Sequence, residues 1–228
     1  VDTRKVAARR AGEDIVDLGF GNPDIPSAPF VVDKLVEAAR NPRNHGYSVS
    51  RGLPNLRRAA AARYRRRFGV ELDPETQIIS TIGAKEGLSH LLWTLLQPGD
   101  VAVVPDPSYP IHIYAPVLTG AEVRRAPVAS EADYFEALEE MFRGSWPRPR
   151  VISVSFPHNP TTRCVELEFF ERLVAFAQEH EVIVVHDFAY ADISFDGYTP
   201  PSLLQVPGAA DVGVELYTLT KGHSMAGW

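Results

Sequence analysis

From about residue 77 onward, short apolar runs alternate with longer stretches whose apolar positions recur at helical spacing. The runs predict strands at 77–81, 101–104, 121–128, 151–156, 182–187 and 212–218. The periodic stretches predict helices at 83–96, 109–118, 131–142 and 166–180. Glycine and proline mark the turns between them, as in Pro98-Gly99-Asp100. Strand alternating with helix argues for α/β architecture: a three-layer αβα sandwich around a mostly parallel sheet covered on both faces.

The first part of the chain follows a different pattern. Residues 1–13 are polar and read as a flexible arm. The short apolar run 15–18 leads into Gly19-Phe20-Gly21-Asn22-Pro23-Asp24, a turn in which glycine lets the backbone approach a ligand closely. Ser27 reads as the N-cap of a helix reaching Arg40, with Phe30, Leu35, Val36 and Ala39 as its apolar positions. Residues 44–54 form a loop. A helix at 55–68 follows, stopped by Gly69. Its Arg57, Arg58, Arg63, Arg65, Arg66 and Arg67 read as a solvated face. No aromatic interleaving or nucleic-acid motif accompanies them.

Composition narrows the picture. The 228 residues are 45% hydrophobic, enough for one large domain, alone or with a small appendage. A net charge of −6 speaks against a polyanionic partner. The single cysteine, Cys164, excludes an internal disulfide framework and fits a reducing, cytoplasmic setting. It stands in a turn with no activating partner, so it is not expected to be a nucleophile. No run reaches transmembrane length, and the N-terminus has no secretory apolar region. No nucleic acid or membrane is therefore expected as a partner.

Candidate chemistry lies at the strand ends. In parallel sheets, ligands bind beyond the carboxyl ends of strands. Gly83-Ala84-Lys85-Glu86-Gly87 opens a helix whose free N–H groups suit a phosphate. Asp106-Pro107-Ser108-Tyr109-Pro110 presents an aromatic ring on a rigid turn, and Pro157-His158-Asn159-Pro160-Thr161 presents an amide. One strand ends in His186-Asp187, followed by Phe188-Ala189-Tyr190, and the last delivers Thr218 and Lys221. An amine fixed at a strand end can form a Schiff base with an aldehyde such as pyridoxal 5'-phosphate, PLP. A carboxylate at the end of a buried strand needs a partner, and a protonated pyridine nitrogen is one. Asp187 would keep that nitrogen protonated, and Tyr109 would stack on the ring. Asn159 and Tyr190 would bond the ring hydroxyl. Gly83, Ala84, Lys85 and Thr218 would hold the phosphate. Lys221 would form the internal Schiff base and, once released, shuttle a proton at the substrate α-carbon.

At these residues the sequence resembles the class I/II aminotransferases of PLP fold type I. The matching motifs are Asp106-Pro107-Ser108-Tyr109-Pro110, Asn159-Pro160-Thr161, Asp187-Phe188-Ala189-Tyr190, and Thr218-x-x-Lys221 with Met225-Ala226-Gly227-Trp228. The stretches 45–52, 164–170 and 185–193 are similar to those of bacterial alanine (glutamate–pyruvate) aminotransferases. The resemblance implies amino transfer between alanine and 2-oxoglutarate or pyruvate. It also implies a homodimer in which Tyr47 reaches the phosphate in the partner's site, and a role for the Gly21 backbone beside the substrate carboxylate. It divides the chain into an N-terminal arm and small-domain segment (1–45) and a PLP-binding large domain (46–228). No metal is implied.

The chain also departs from the family pattern. Family members carry an arginine directly after Met-Ala-Gly-Trp, a later arginine for the substrate carboxylate, a further strand inside the sheet and the rest of the small domain. This sequence has no counterpart for them, so a fragment is expected, one that holds PLP weakly and has no useful transamination if Trp228 is the natural end. Thr220 and Gly222 stand where serines are common, with small local effect expected. Within the same fold, transaminases for aspartate, aromatic amino acids or diaminopimelate, and C–S lyases, remain alternatives. A non-catalytic PLP sensor is the alternative of another class, but the arm before Ile15 is too short for a DNA-binding module. A degenerate homologue is a further alternative.

Overall fold

The structure, a computed structural model, describes residues 2–17, 21, 24–144 and 146–228, with Asp2 described in its backbone alone. At its centre is a parallel sheet of β1 (Val101–Asp106), β2 (Glu122–Pro127), β3 (Val151–Val154), β4 (Ile183–Asp187) and β5 (Gly213–Leu216), in the order β2-β1-β3-β4-β5. Ala102 pairs with Val151, Val151 with Ile183, and Val185 with Val214.

Successive strand residues point to opposite faces, and helices cover both. Val103, Ile152, Val154 and Val184 pack under α6 (Glu131–Gly144) and α7 (Leu167–His180), where Phe135, Leu138, Phe169 and Leu173 are buried. Ala102, Val151 and Val185 pack against Leu88 and Leu92 of α4 (Ala84–Leu95) and Ala115 of α5 (Pro110–Leu118). Full burial of such a leucine stabilises by about 1.5–3 kcal/mol. Because both faces are dry, β1 and β3 read as continuous apolar runs in the sequence. The three-layer α/β sandwich expected from the sequence is therefore present.

Five local expectations change. Residues 77–81 do not form a strand. The sheet ends at β5, and Gly87 of α4 lies between the side chains of Thr81 and Leu216. Its backbone donates from Gln77 N–H to the Asp73 carbonyl and from Ser80 N–H to the Arg51 carbonyl, neither of them in a strand, and Ile79 and Ile82 are exposed. An apolar run becomes a strand only where a neighbour accepts its backbone groups.

The N-terminal arm is a helix, α1 (Asp2–Arg10), rich in helix-forming alanine, arginine and lysine. Lys5 ties it back to Asp17 at 2.8 Å. The next helix, α2 (Pro29–Arg40), is capped at Ala28, with proline opening the first turn. The Ser27 hydroxyl instead donates to the Ser224 carbonyl at 2.7 Å. The turn expected at 19–24 lies mostly outside the described residues, as does Leu18.

The arginine-bearing helix, α3 (Pro54–Phe68), ends at Gly69, whose φ of 69° is left-handed, as expected. Its arginines are not all solvated. Arg57 is buried and bonds the Pro74 carbonyl and Glu75, while Arg63 and Arg67 reach Asp192. Each inward arginine finds a carboxylate, which offsets part of the cost of burying its charge. Finally, the run 212–218 contains only β5. It is flanked by two single-turn helices, α8 (Ala209–Val212) and α9 (Leu219–Gly222).

Candidate active site

The strand ends open into one cleft of about 830 Å³. Gly21, Gly83, Ala84, Lys85, Tyr109, Asn159, Asp187, Tyr190, Thr218 and Lys221 all line it. They come from six separate segments, and what they share is position beyond the carboxyl edge of the sheet.

Asp187 closes β4. Its side chain is 13% exposed, and Oδ2 lies 2.9 Å from Nε2 of His112, which is 1% exposed. Asp187 Oδ1 is buried with no hydrogen-bond partner, and so is Nδ1 of His112. A buried carboxylate oxygen without a donor is costly, and the cleft is the side from which a donor can come. Tyr109 precedes α5, and its ring meets His112 edge-on, with centroids 6.1 Å apart. The Lys85 ammonium lies 5.3 Å from the Tyr109 ring centre. Asn159 Nδ2 donates to the Tyr190 hydroxyl at 3.1 Å. Burial, helped by the charge of Asp187, pushes the Tyr190 hydroxyl above its ordinary value against the opposing pull of the Asn159 bond.

Gly83 stands at φ 83° before α4 and gives that helix no side-chain cap. The first N–H groups of α4 lack intrahelical acceptors, so they form a partial positive end at the cleft. Thr218 caps α9, accepting from Thr220 N–H at 3.2 Å. Lys221 sits in that single turn. An acid with an orphaned oxygen, an uncapped helix start and an amine in one cleft fit a group that carries a ring nitrogen, a phosphate and an aldehyde.

Tyr47 does not join these residues. It is fully exposed on the loop before α3, away from the cleft. His112 does join them, although nothing in its local sequence marks it. Its only signal is a position one helical turn after Tyr109. A second cavity, of about 440 Å³, lies behind Asn159 and Tyr190 and is lined by Ile193, Phe195 and Tyr198. Cys164 borders it. Burial pushes that thiol up, which works against a thiolate. Among the described residues there is no metal-binding cluster of His, Cys, Asp or Glu, and no helix long and apolar enough to cross a membrane.

Next to the cleft, the side chain of Glu215 of β5 is completely buried and hydrogen-bonded. It accepts from Tyr64 Oη at 2.7 Å, and from Ser202 Oγ and Leu203 N–H at 2.8 Å each. Nδ1 of His186 lies 2.8 Å away, and the side chains of both residues are 0% exposed.

Comparison with known proteins agrees with this arrangement. The sequence model of the family "Aminotransferase class I and II" matches residues 13–228. The glutamate–pyruvate aminotransferase AlaC of Escherichia coli (strain K12) is 54% identical over 98% of this chain and 54% of its own length. An LL-diaminopimelate aminotransferase of Dehalococcoides mccartyi is 40% identical over 99% of this chain and 58% of its own. The substrate-bound BacF structure from Bacillus subtilis superposes with a TM-score of 0.88 at 37% identity, covering 99% of this chain and 57% of that one. The chain thus spans a little over half the length of the relatives it matches. With a family match over nearly all its residues and a cleft assembled from the same motifs, the chain belongs to the class I and II aminotransferases.

Proposed function

We propose that the protein moves an amino group between an L-amino acid, alanine, and a 2-oxo acid, 2-oxoglutarate or pyruvate, with PLP as the carrier. The observation that carries this reading is Asp187 Oδ1, buried without a partner in the cleft that Lys221 also lines. When bound, PLP supplies an electron sink for the charge that develops on the substrate α-carbon.

The chain's own residues do the rest. Asp187 would accept from the ring nitrogen and keep its proton in place, while His112 holds the carboxylate from the other side. Tyr109 would cover one ring face, and Asn159 and Tyr190 would bond the ring hydroxyl. The N–H groups at Gly83, Ala84 and Lys85, with the Thr218 hydroxyl, would hold the phosphate. Lys221 would anchor the group through its amine and would move a proton to and from the substrate α-carbon. The Gly21 backbone and Asn159 meet the substrate carboxylate. Tyr47, exposed and outside its own cleft, suits a role in the site of a second subunit of a homodimer.

Alanine as donor is supported by the 54% identity to a glutamate–pyruvate enzyme. Diaminopimelate is the second reading, because enzymes named for it are 40% identical over almost the whole chain. The test begins with the absorption spectrum after PLP is added. A band in the ~400 nm region that disappears on borohydride treatment and in Lys221→Ala supports the anchoring role. A donor panel of alanine, aspartate, phenylalanine and LL-diaminopimelate, each with 2-oxoglutarate, then decides the substrate. Absence of the band in the full-length protein removes the PLP reading, and turnover restricted to another donor removes alanine.

A further inference from the structure

Lys221 stands on weak support. Among the described residues β5 pairs with β4 alone, and α9 is a single turn. The residues that bracket Lys221 nevertheless converge on one side chain, Asp192, in the loop after β4.

Asp192 is 11% exposed. Its Oδ1 accepts from Arg63 and forms an ion pair with Arg67 Nη1 at 2.8 Å. Its Oδ2 accepts from the Tyr217 hydroxyl at 2.6 Å, and His223 Nε2 is 3.5 Å from the same oxygen. Arg63 also lies over the Tyr217 ring, 4.5 Å from its centre, and Arg67 donates to the Ala191 carbonyl at 2.7 Å. On the remaining side, Gly222 packs against Asp192 so closely that a β-carbon there would sit 2.5 Å from the Asp192 Cβ. A side chain at 222 therefore requires the turn to shift, which is more than the small local effect expected from the sequence.

Burial alone would raise the Asp192 carboxyl. The Tyr217 hydrogen bond and the charges of Arg63 and Arg67 outweigh it and hold the group below the usual aspartate value. Burial and the bond to Asp192 push the Tyr217 hydroxyl well above its ordinary range, so it remains a donor. Tyr217, Gly222 and His223 thus bear on one ionised carboxylate, which α3 neutralises through two arginines. α3 in turn is anchored by Tyr64 on Glu215.

We propose that Asp192 is a positioning residue for Lys221. Its carboxylate, clamped between α3 and the Lys221 turn, holds that turn in place at the cleft. The functional meaning rests on the role assigned to Lys221 above, but the clamp itself does not.

The test compares wild type with Asp192→Ala, Asp192→Asn and Tyr217→Phe. Hydrogen exchange is measured without cofactor on peptides covering 217–226 and on core peptides covering 101–106 and 151–154. Asp192→Ala is expected to speed exchange in 217–226 by ~tenfold or more with the core peptides unchanged, Asp192→Asn by less, and Tyr217→Phe by roughly threefold. If Asp192→Ala fails to fold, Tyr217→Phe decides, since it removes one bond and keeps the ring. A second measurement, the fraction of Lys221 trapped by borohydride at a fixed PLP concentration, falls in the same order. A uniform rise across all peptides, or no change in 217–226, overturns the proposal. If wild type traps no PLP, the role of Lys221 fails, while the exchange contrast still decides on the clamp.

Discussion

His112 and Asp187 share one hydrogen bond of 2.9 Å, which leaves the other oxygen of Asp187 buried and unbonded. The histidine fixes the carboxylate from one side and reserves the free oxygen for a donor in the cleft. Asp187→Asn keeps the shape and removes the charge. Its kcat/KM for amino transfer is expected to fall on the order of 10²-fold or more, the scale seen when one preorganised electrostatic contact is removed. Steady-state kinetics check this, and an unchanged rate argues against the role given to Asp187.

Lys221→Ala removes both the anchoring amine and the proton carrier. PLP absorbance reducible by borohydride should vanish, and the proton-transfer step should slow by roughly 10²–10⁴-fold. Adding a small primary amine is expected to restore part of the rate. Full activity without any amine would contradict the assignment.

Glu215 accepts three hydrogen bonds from Tyr64, Ser202 and Leu203 and lies beside a buried histidine, with no water needed to satisfy it. Burial and the Glu215 charge push the Tyr64 hydroxyl well above its usual range, so it donates at all ordinary pH. Tyr64→Phe should destabilise the chain by about 1.5–3 kcal/mol, the value of a hydrogen bond to a charged group. Urea unfolding measures it. A change within error would mean that Glu215 finds another donor.

His158 provides a pH signature. Burial first, then the nearby His112 and Arg163, depress its pKa to about 4 from an ordinary value of 6.5. The unfolded chain therefore binds the proton more readily than the folded one between those values. Stability is greatest above pH 6.5, falls as the pH drops through this window, and levels off below 4 for this group. The loss from pH 7 to 5 is about 2 kcal/mol. His158→Gln should flatten that slope in urea titrations at the two pH values. An equal slope in the variant would assign the acid sensitivity to other groups.

Much of the cleft was legible because a parallel sheet writes its site into the residues that follow each apolar run. Asp187 ends a run that is buried on both faces, and Tyr109, Asn159 and Lys221 each follow a strand within a few residues. The illegible parts depend on distant partners. Residues 77–81 carry a strand's composition, but a strand also requires a neighbour, and that requirement has no local signature. Ser27 resembled a cap until Ser224, far along the chain, offered its carbonyl. Arg63 and Arg67 looked solvated because Asp192 lies more than a hundred residues away. His112 faces inward because Asp187 is there to receive it.

The two margins of the sheet are unequal. β2 carries Glu122 and Arg124, paired at 2.8 Å, and such charges discourage a second chain from docking on it. β5 carries no such guard. Its glutamate is turned inward to Tyr64 and Ser202, and the exposed Ile79 lies in the non-strand segment near this end of the sheet. Handling of the protein follows from this asymmetry. In this 228-residue chain, self-association in concentrated samples should begin at the β5 side, and a charged residue placed at position 79, which does not line the cleft, should extend shelf life.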